Sequence, residues 1–238
     1  MRTAAGMGVG AGALSAAALT YWVRMSSWSQ RLGPFPWHVE TDRRVVALTF
    51  DDGPNEPYTS QLADLFVERG VHATFFQVGL NVKAFPDATR RLLADGHEIG
   101  NHSWSHDFTR CLRDSVMADE ILRTQDLQEE ITGQRPTLYR PPWLWRSRGL
   151  FRTLREQGLT PVSGEFAHEF EPFQIPAAWT ARRALGRASP GKILIFHDGY
   201  DIRGGDHTQT VRAVQLTVDR LRDAGYEFVT VPELLALG

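Results

Sequence analysis

Val45-Val46-Ala47-Leu48-Thr49-Phe50 runs straight into Asp51-Asp52-Gly53-Pro54, and the change of character at residue 51 decides how the fold is read. A β-prone apolar run without alternation is the signature of a strand covered on both faces, as in parallel sheets. Asp-Asp-Gly-Pro closes it as a turn. Two carboxylates therefore stand at the C-terminal end of a buried strand.

Outward from that strand, the pattern repeats. Apolar spacing predicts helices over 57–69, 85–94, 115–131, 149–157, 177–187 and 208–224. Strands are predicted over 73–78, 97–100, 138–140, 159–163, 192–197 and 227–231. Strands alternating with helices imply parallel pairing, because a parallel return needs a crossover. An open doubly wound sheet and a closed barrel both satisfy this. The number of strand–helix units, with polar motifs recurring just after strands, favours an α/β fold of the distorted barrel type.

The second polar motif is His102-Ser103-Trp104-Ser105-His106. On a helical turn, residues i and i+4 share a face, so two imidazoles so spaced can converge on one metal ion. Ser103 stands where the HExxH metalloproteases carry their Glu base, which argues against that protease chemistry. Adjacent aspartates in a cleft repel each other unless a cation compensates. One Asp and two His leave an open coordination position for water, with a second Asp free as general base.

Four motifs in the right order resemble the NodB-like polysaccharide deacetylases of carbohydrate esterase family four. They are Thr49-Phe50-Asp51-Asp52-Gly53-Pro54, His102-Ser103-Trp104-Ser105-His106, Arg140-Pro141-Pro142-Trp143 and Ile195-Phe196-His197. The resemblance implies a distorted (β/α)7 barrel. It implies that Asp52, His102 and His106 hold a divalent metal, usually Zn2+, with Co2+, Ni2+ or Mn2+ as alternatives. Asp51 would take a proton from the attacking water, His197 would protonate the leaving amine, and Arg140 would pair with Asp51. A backbone N–H near Trp143 would face the oxyanion, and Pro142, Trp143 and Ile195 would border the substrate. The fourth motif departs from the family pattern. Where members carry an Asp that tunes the catalytic His, this chain reads Ser163-Gly164-Glu165-Phe166. Glu165 is the nearest carboxylate, with Asp198 as a second choice. Trp104 is expected to pack under the site, Trp145 either to pack or to meet sugar, and His97 to be a core residue.

The 238 residues are 42% hydrophobic and 23% charged, which is enough for one sizeable core, and no Pro/Ser/Gly-rich linker divides them. The expected organisation is a signal or membrane-anchor segment at 1–30, a connecting segment at 31–44 and a catalytic domain at 45–238. Residues 3–23 are uncharged, rich in Ala and Gly, and flanked by Arg2 and Arg24. Such a stretch reaches the ~20 residues of a membrane-spanning helix, and it points to export or membrane attachment in the cell envelope. A net charge of −2 offers no basic field for nucleic acid. With Cys111 the only cysteine, an intrachain disulfide and a cysteine-rich zinc site are excluded, and the thiol reads as inert and buried. The expected substrate is an N-acetylated glycan, of peptidoglycan or chitin-like type. O-acetyl xylan or a cyclic amide are alternatives on the same fold. A non-catalytic sugar-binding protein is the alternative of another class.

Overall fold

The structure is a computed structural model that describes residues 35–200 and 204–238; the leader at 1–30 lies outside them. In chain order the elements are β1 (Val45–Asp51), α1 (Tyr58–Arg69), β2 (Thr74–Gln77), α2 (Gly79–Ala84), α3 (Pro86–Ala94), β3 (Glu98–Asn101), α4 (Phe108–Cys111), α5 (Asp114–Thr132) and β4 (Leu138–Tyr139). A 3-10 turn at Pro142–Leu144 leads to α6 (Arg148–Glu156), β5 (Thr160–Pro161) and β6 (Glu165–Phe166). A second 3-10 turn at Glu171–Phe173 precedes α7 (Ala177–Arg187), β7 (Lys192–His197), α8 (Thr208–Asp223), β8 (Glu227–Phe228) and α9 (Val231–Leu235).

Paired strands all run parallel, in the order β5-β4-β3-β2-β1-β7-β6, with β8 beside the start of β1. The sheet curls on itself, with β5 and β6 as its ends, joined by residues 162–164 but not hydrogen-bonded to each other. The expected distorted (β/α)7 barrel is therefore present, open along one seam.

Side-chain parity explains how this sheet positions a site. Successive residues of a strand face opposite ways. Leu48 and Phe50 of β1 and Leu194 and Phe196 of β7 join Leu62 and Phe66 of α1 and Val214 and Val218 of α8 in the core under the helices. Val45, Ala47 and Ile193 point the other way, into a second core with Phe76 and Leu138, closed by Val231 and Leu234 of α9. Above them, on the same inner face, come Thr49, Asp51, Ile195 and His197. The interior is thus apolar at the N-terminal ends of the strands and polar at the C-terminal ends.

Strand heights are set by a ladder of rings on the outer face. Phe50 is in register with Phe75 and Phe196 and stacks on both, with ring centres 4.9 and 5.8 Å apart. Each fully buried Phe contributes roughly 1.5–3 kcal/mol, and a slip of any one of these strands by one residue would turn its ring toward the interior. The same register puts Asp51 beside His197.

Some expected boundaries move for local reasons. The last strand stops at Phe228 because Thr230 begins α9, its main-chain N–H bonded to the Glu233 carboxylate in a capping box. Residues 159–163 keep only a short strand, since Pro161 has no N–H to give. The compact unit begins at Pro36, so part of the expected connecting segment is packed into the domain. Pro36 accepts from the Ser163 N–H, Val39 donates to Gly191, and Lys192 Nζ lies 3.7 Å from the Trp37 ring centre.

Candidate active site

Asp52 follows β1 in the left-handed region (φ 73°), a conformation Asp tolerates better than most residues. Its peptide is held by Asn81, whose amide donates to the Asp52 carbonyl at 2.7 Å. His102 and His106 reach the same carboxylate oxygen, each Nε2 lying 3.2 Å from Asp52 Oδ1. Among the described residues this is the only group of three or more His, Cys, Asp or Glu whose ligand atoms converge within 4.8 Å. The convergence does not come from a helical turn. Residues 102–106 form a loop with Ser103 at φ 69° and His106 at φ 54°, so the expected helical i, i+4 face is replaced by a folded-back main chain. Asn101 Oδ1 accepts from the Ser103 N–H, and buried Glu120 of α5 accepts from both N–H and hydroxyl of Ser105.

The donor set fits a divalent ion. His102 Nδ1 donates to the Arg140 carbonyl at 2.7 Å, because a carbonyl can only accept. Its Nε2 lone pair then faces Asp52 Oδ1, a buried oxygen with no hydrogen-bond donor. Two acceptors facing each other at 3.2 Å call for a cation between them. Burial works against the Asp52 charge, yet the histidines around it, His106 foremost, hold its carboxyl well below the usual range when they carry a proton, as a cation in their place also would.

On the adjoining strand end, Arg140 is fully buried. Its Nη1 donates to Asp51 Oδ1 at 2.6 Å and to the Thr49 hydroxyl at 2.7 Å, while Nη2 donates to the Ser163 carbonyl. The expected Arg140–Asp51 pair is therefore present. His197 donates through Nδ1 to Glu171 Oε2 at 2.7 Å, leaving Nε2 for the cleft. Burial alone would lower the His197 pKa. The Glu171 bond and the charges of Glu171, Asp52 and Asp51 outweigh it and raise it to about 9.

Glu171 corrects the expectation for Glu165. The register Glu165↔Leu194 turns Glu165 to the outer face, where it meets Lys192 Nζ at 3.1 Å and lies 3.9 Å from Arg187. Phe166, one residue on, pairs with Ile195 on the inner face and stacks on the His197 ring. The second choice, Asp198, turns away from His197 and accepts from the Thr59 hydroxyl at 2.6 Å. The other oxygen of Glu171 accepts from the buried Thr210 hydroxyl. No sequence period leads to a carboxylate in a 3-10 turn; the usable signal was only an acid downstream of the fourth motif.

The sequence model of the polysaccharide deacetylase family matches residues 38–162, more than half of the chain. The chain belongs to the polysaccharide deacetylase family. It is 33% identical over 204 residues to a peptidoglycan-N-acetylglucosamine deacetylase of Bacillus cereus, covering 85% of this chain and 93% of the relative. It is 35% identical over 203 residues to the peptidoglycan-N-acetylmuramic acid deacetylase PdaC of Bacillus subtilis, covering 82% of this chain but 40% of PdaC. The solved PdaC structure superimposes with a TM-score of 0.71 over 83% of this chain and 93% of that one, at 34% identity. A solved Bc1960 peptidoglycan N-acetylglucosamine deacetylase gives 0.77 over 87% and 95%, at 27% identity.

In this polysaccharide deacetylase the remaining expected site residues fall in different layers. Trp143 is 49% exposed, in the left-handed region (φ 58°), its ring 5.1 Å from that of His106. Pro142 and Ile195 are buried, Ile195 directly beneath His197 on the inner face and against Gly164. Trp104 packs as expected, buried with Arg123 stacked over it. Trp145 packs against the core that contains Cys111, Met117 and Tyr139. His97 is a core residue: Nδ1 accepts from the Ala73 N–H, and burial lowers its pKa to about 4. Burial likewise pushes the Cys111 thiol up to about 12, so it is inert at neutral pH.

Proposed function

We propose that this family member hydrolyses the N-acetyl groups of N-acetylglucosamine units in peptidoglycan, with Zn2+ held by Asp52, His102 and His106. The observation that carries the proposal is the opposite treatment of two neighbouring groups. Asp51 accepts a hydrogen bond from a buried guanidinium, while His197 donates to the Glu171 carboxylate, which holds it protonated. A carboxylate oriented by a guanidinium and an imidazole oriented by a carboxylate, on adjacent strand ends, suit the base and the acid of an amide hydrolysis.

Arg140 occupies Asp51 Oδ1, which leaves the second oxygen to accept a proton from the water attacking the acetamide carbon. A divalent ion bound at the triad supplies Lewis-acid polarisation of the carbonyl and the water. The main-chain N–H at Trp143 donates to the oxyanion as it forms. His197 Nε2 gives its proton to the amine as the C–N bond breaks, and acetate leaves. Ile195 forms the floor beneath the acetyl methyl, and Pro142 and Trp143 form the rim toward the sugar.

Peptidoglycan is favoured over other glycans by the names of relatives that match nearly the whole chain. The uncharged stretch at 3–23 supports export or anchoring of the catalytic domain on the outer side of the membrane. Among the described residues no helix is long and apolar enough to cross a membrane.

Acetate release by the metal-loaded protein from peptidoglycan, chitooligosaccharides, acetylated xylan and cyclic amides tests the reading, with the first two expected to react. Asp51→Asn should keep its metal and lose ~10²–10⁴-fold in kcat; unchanged turnover would remove Asp51 as the base. His106→Ala should lose metal and activity together.

A further inference from the structure

Between α7 and the segment 168–170 lies a cleft of about 500 Å³, lined by His168, Glu169, Phe170, Trp179, Arg182 and Arg183 among others. It is built of unusual surface material. Phe170 is 60% and Trp179 58% exposed, so their rings stand at the mouth and are not spent on a core. Trp179, Arg182 and Arg183 recur at helical spacing on α7. Arg187 holds the Phe166 carbonyl and Glu169, and Arg183 reaches Glu169 only at 3.6 Å. Arg182 has no ion pair among the described residues. Glu165 also lies 3.9 Å from Arg187 but is paired with Lys192, so among the residues lining the cleft Glu169 stands alone against Arg182, Arg183 and Arg187, and the cleft keeps a net positive charge.

The cleft adjoins the candidate active site through its own wall. Phe166, which stacks on His197, and Glu171, which bonds to it, bracket the segment 168–170. A polymer engaged at His197 and extended past residues 168–170 would reach this cleft.

We propose that this cleft is a second binding site for a carboxylate-bearing glycan, the peptide-substituted strand of peptidoglycan, and this rests on the substrate reading above. The apolar face of a pyranose or a stem-peptide methyl stacks on Trp179 and Phe170. A stem-peptide carboxylate pairs with Arg182 and Arg183, whose planar forks suit bidentate recognition. Charge complementarity selects this occupant over a neutral chitin-like chain, and the site raises affinity without entering the chemistry.

The test compares full-length wild type with Trp179→Ala and with the double variant Arg182→Gln/Arg183→Gln. Their substrates are a solubilised peptidoglycan fragment with free stem carboxylates, the same fragment with those carboxylates amidated, and a neutral N-acetylglucosamine pentamer. For the acidic fragment KM should rise about 5- to 20-fold in the double variant with kcat unchanged, the amidated fragment should already show the higher KM with wild type, and the pentamer should be indifferent. Equal KM values for wild type and variants on the acidic fragment overturn the proposal. So does a loss confined to sedimentation with phosphatidylglycerol vesicles, which would assign the cleft to a membrane surface. If none of the substrates releases acetate, the deacetylation reading fails, and the cleft is decided separately by calorimetric Kd values of wild type and double variant for the acidic fragment.

Discussion

At His197 two opposing influences meet in one ring: burial, which favours the neutral imidazole, and the Glu171 carboxylate, which favours the charged one. The second wins, and the pKa rises from 6.5 to about 9. A folded-state value above the unfolded one contributes stability that is fully present below pH 6.5 and disappears as pH rises through about 9. Glu171→Gln should therefore destabilise the protein most at about pH 6 and hardly at about pH 10 in urea denaturation. The same substitution should move the alkaline limb of kcat/KM to lower pH, whereas Glu165→Gln, altering a carboxylate paired with Lys192, should leave the limb in place. Asp51, Asp52 and His197 are legible in the sequence because each ends or follows an apolar run that marks a strand, His102 and His106 because of their spacing, and Arg140 because its motif resembles the family's. Glu171 is not, because its position depends on the path of a loop and on a 3-10 turn without periodicity. Glu165 misleads for a simple reason of phase, being one residue away from the inner face that Phe166 occupies.

At the scale of elements, the loop of the candidate metal ligands is anchored to a helix. Glu120 of α5 is buried and accepts from the Ser105 N–H, the Ser105 hydroxyl and Arg110 Nε. Glu120→Ala removes the anchor and leaves the half-buried Ser105 donors and Arg110 without it, which should cost ~1–3 kcal/mol of stability. It should also weaken metal binding ~10–100-fold, as loss of outer support for ligands does; chelator competition measures it. The turn after β7 supports Asp52 from the other side. A Cβ added at Gly199 would overlap the Asp52 carbonyl oxygen and the Gly53 nitrogen, so Gly199→Ala should lower the Tm and the metal affinity together. The parallel sheet and most of its helices follow from apolar spacing alone. Shorter pieces such as α2, α4, β6 and α9 do not, because a stretch of two to six residues holds too little pattern to separate helix from strand.

Across the whole molecule, the candidate ligands, the acid–base pair and Arg140 come from the ends of β1, β3, β4 and β7 and are brought together only when the sheet has formed. Metal bound to the folded state and not to the unfolded chain stabilises by mass action, about 4 kcal/mol at a free concentration 1,000 times Kd. Addition of a chelator should therefore lower the Tm, and stepwise zinc should restore it in a concentration-dependent way. The proposed export or anchoring by the leader predicts that removal of residues 1–30 keeps the protein out of the cell envelope, which cell fractionation measures. The inner face of the barrel carries one last consequence. Its lower layer, Val45, Ala47 and Ile193, is judged by volume, and its upper layer, Thr49, Asp51 and His197, by protons and charge. Drift and engineering thus face two nearly independent problems on the same strands: the base can be repacked for heat resistance without retuning the chemistry, and a catalyst can fall silent at its rim while its foundation remains sound.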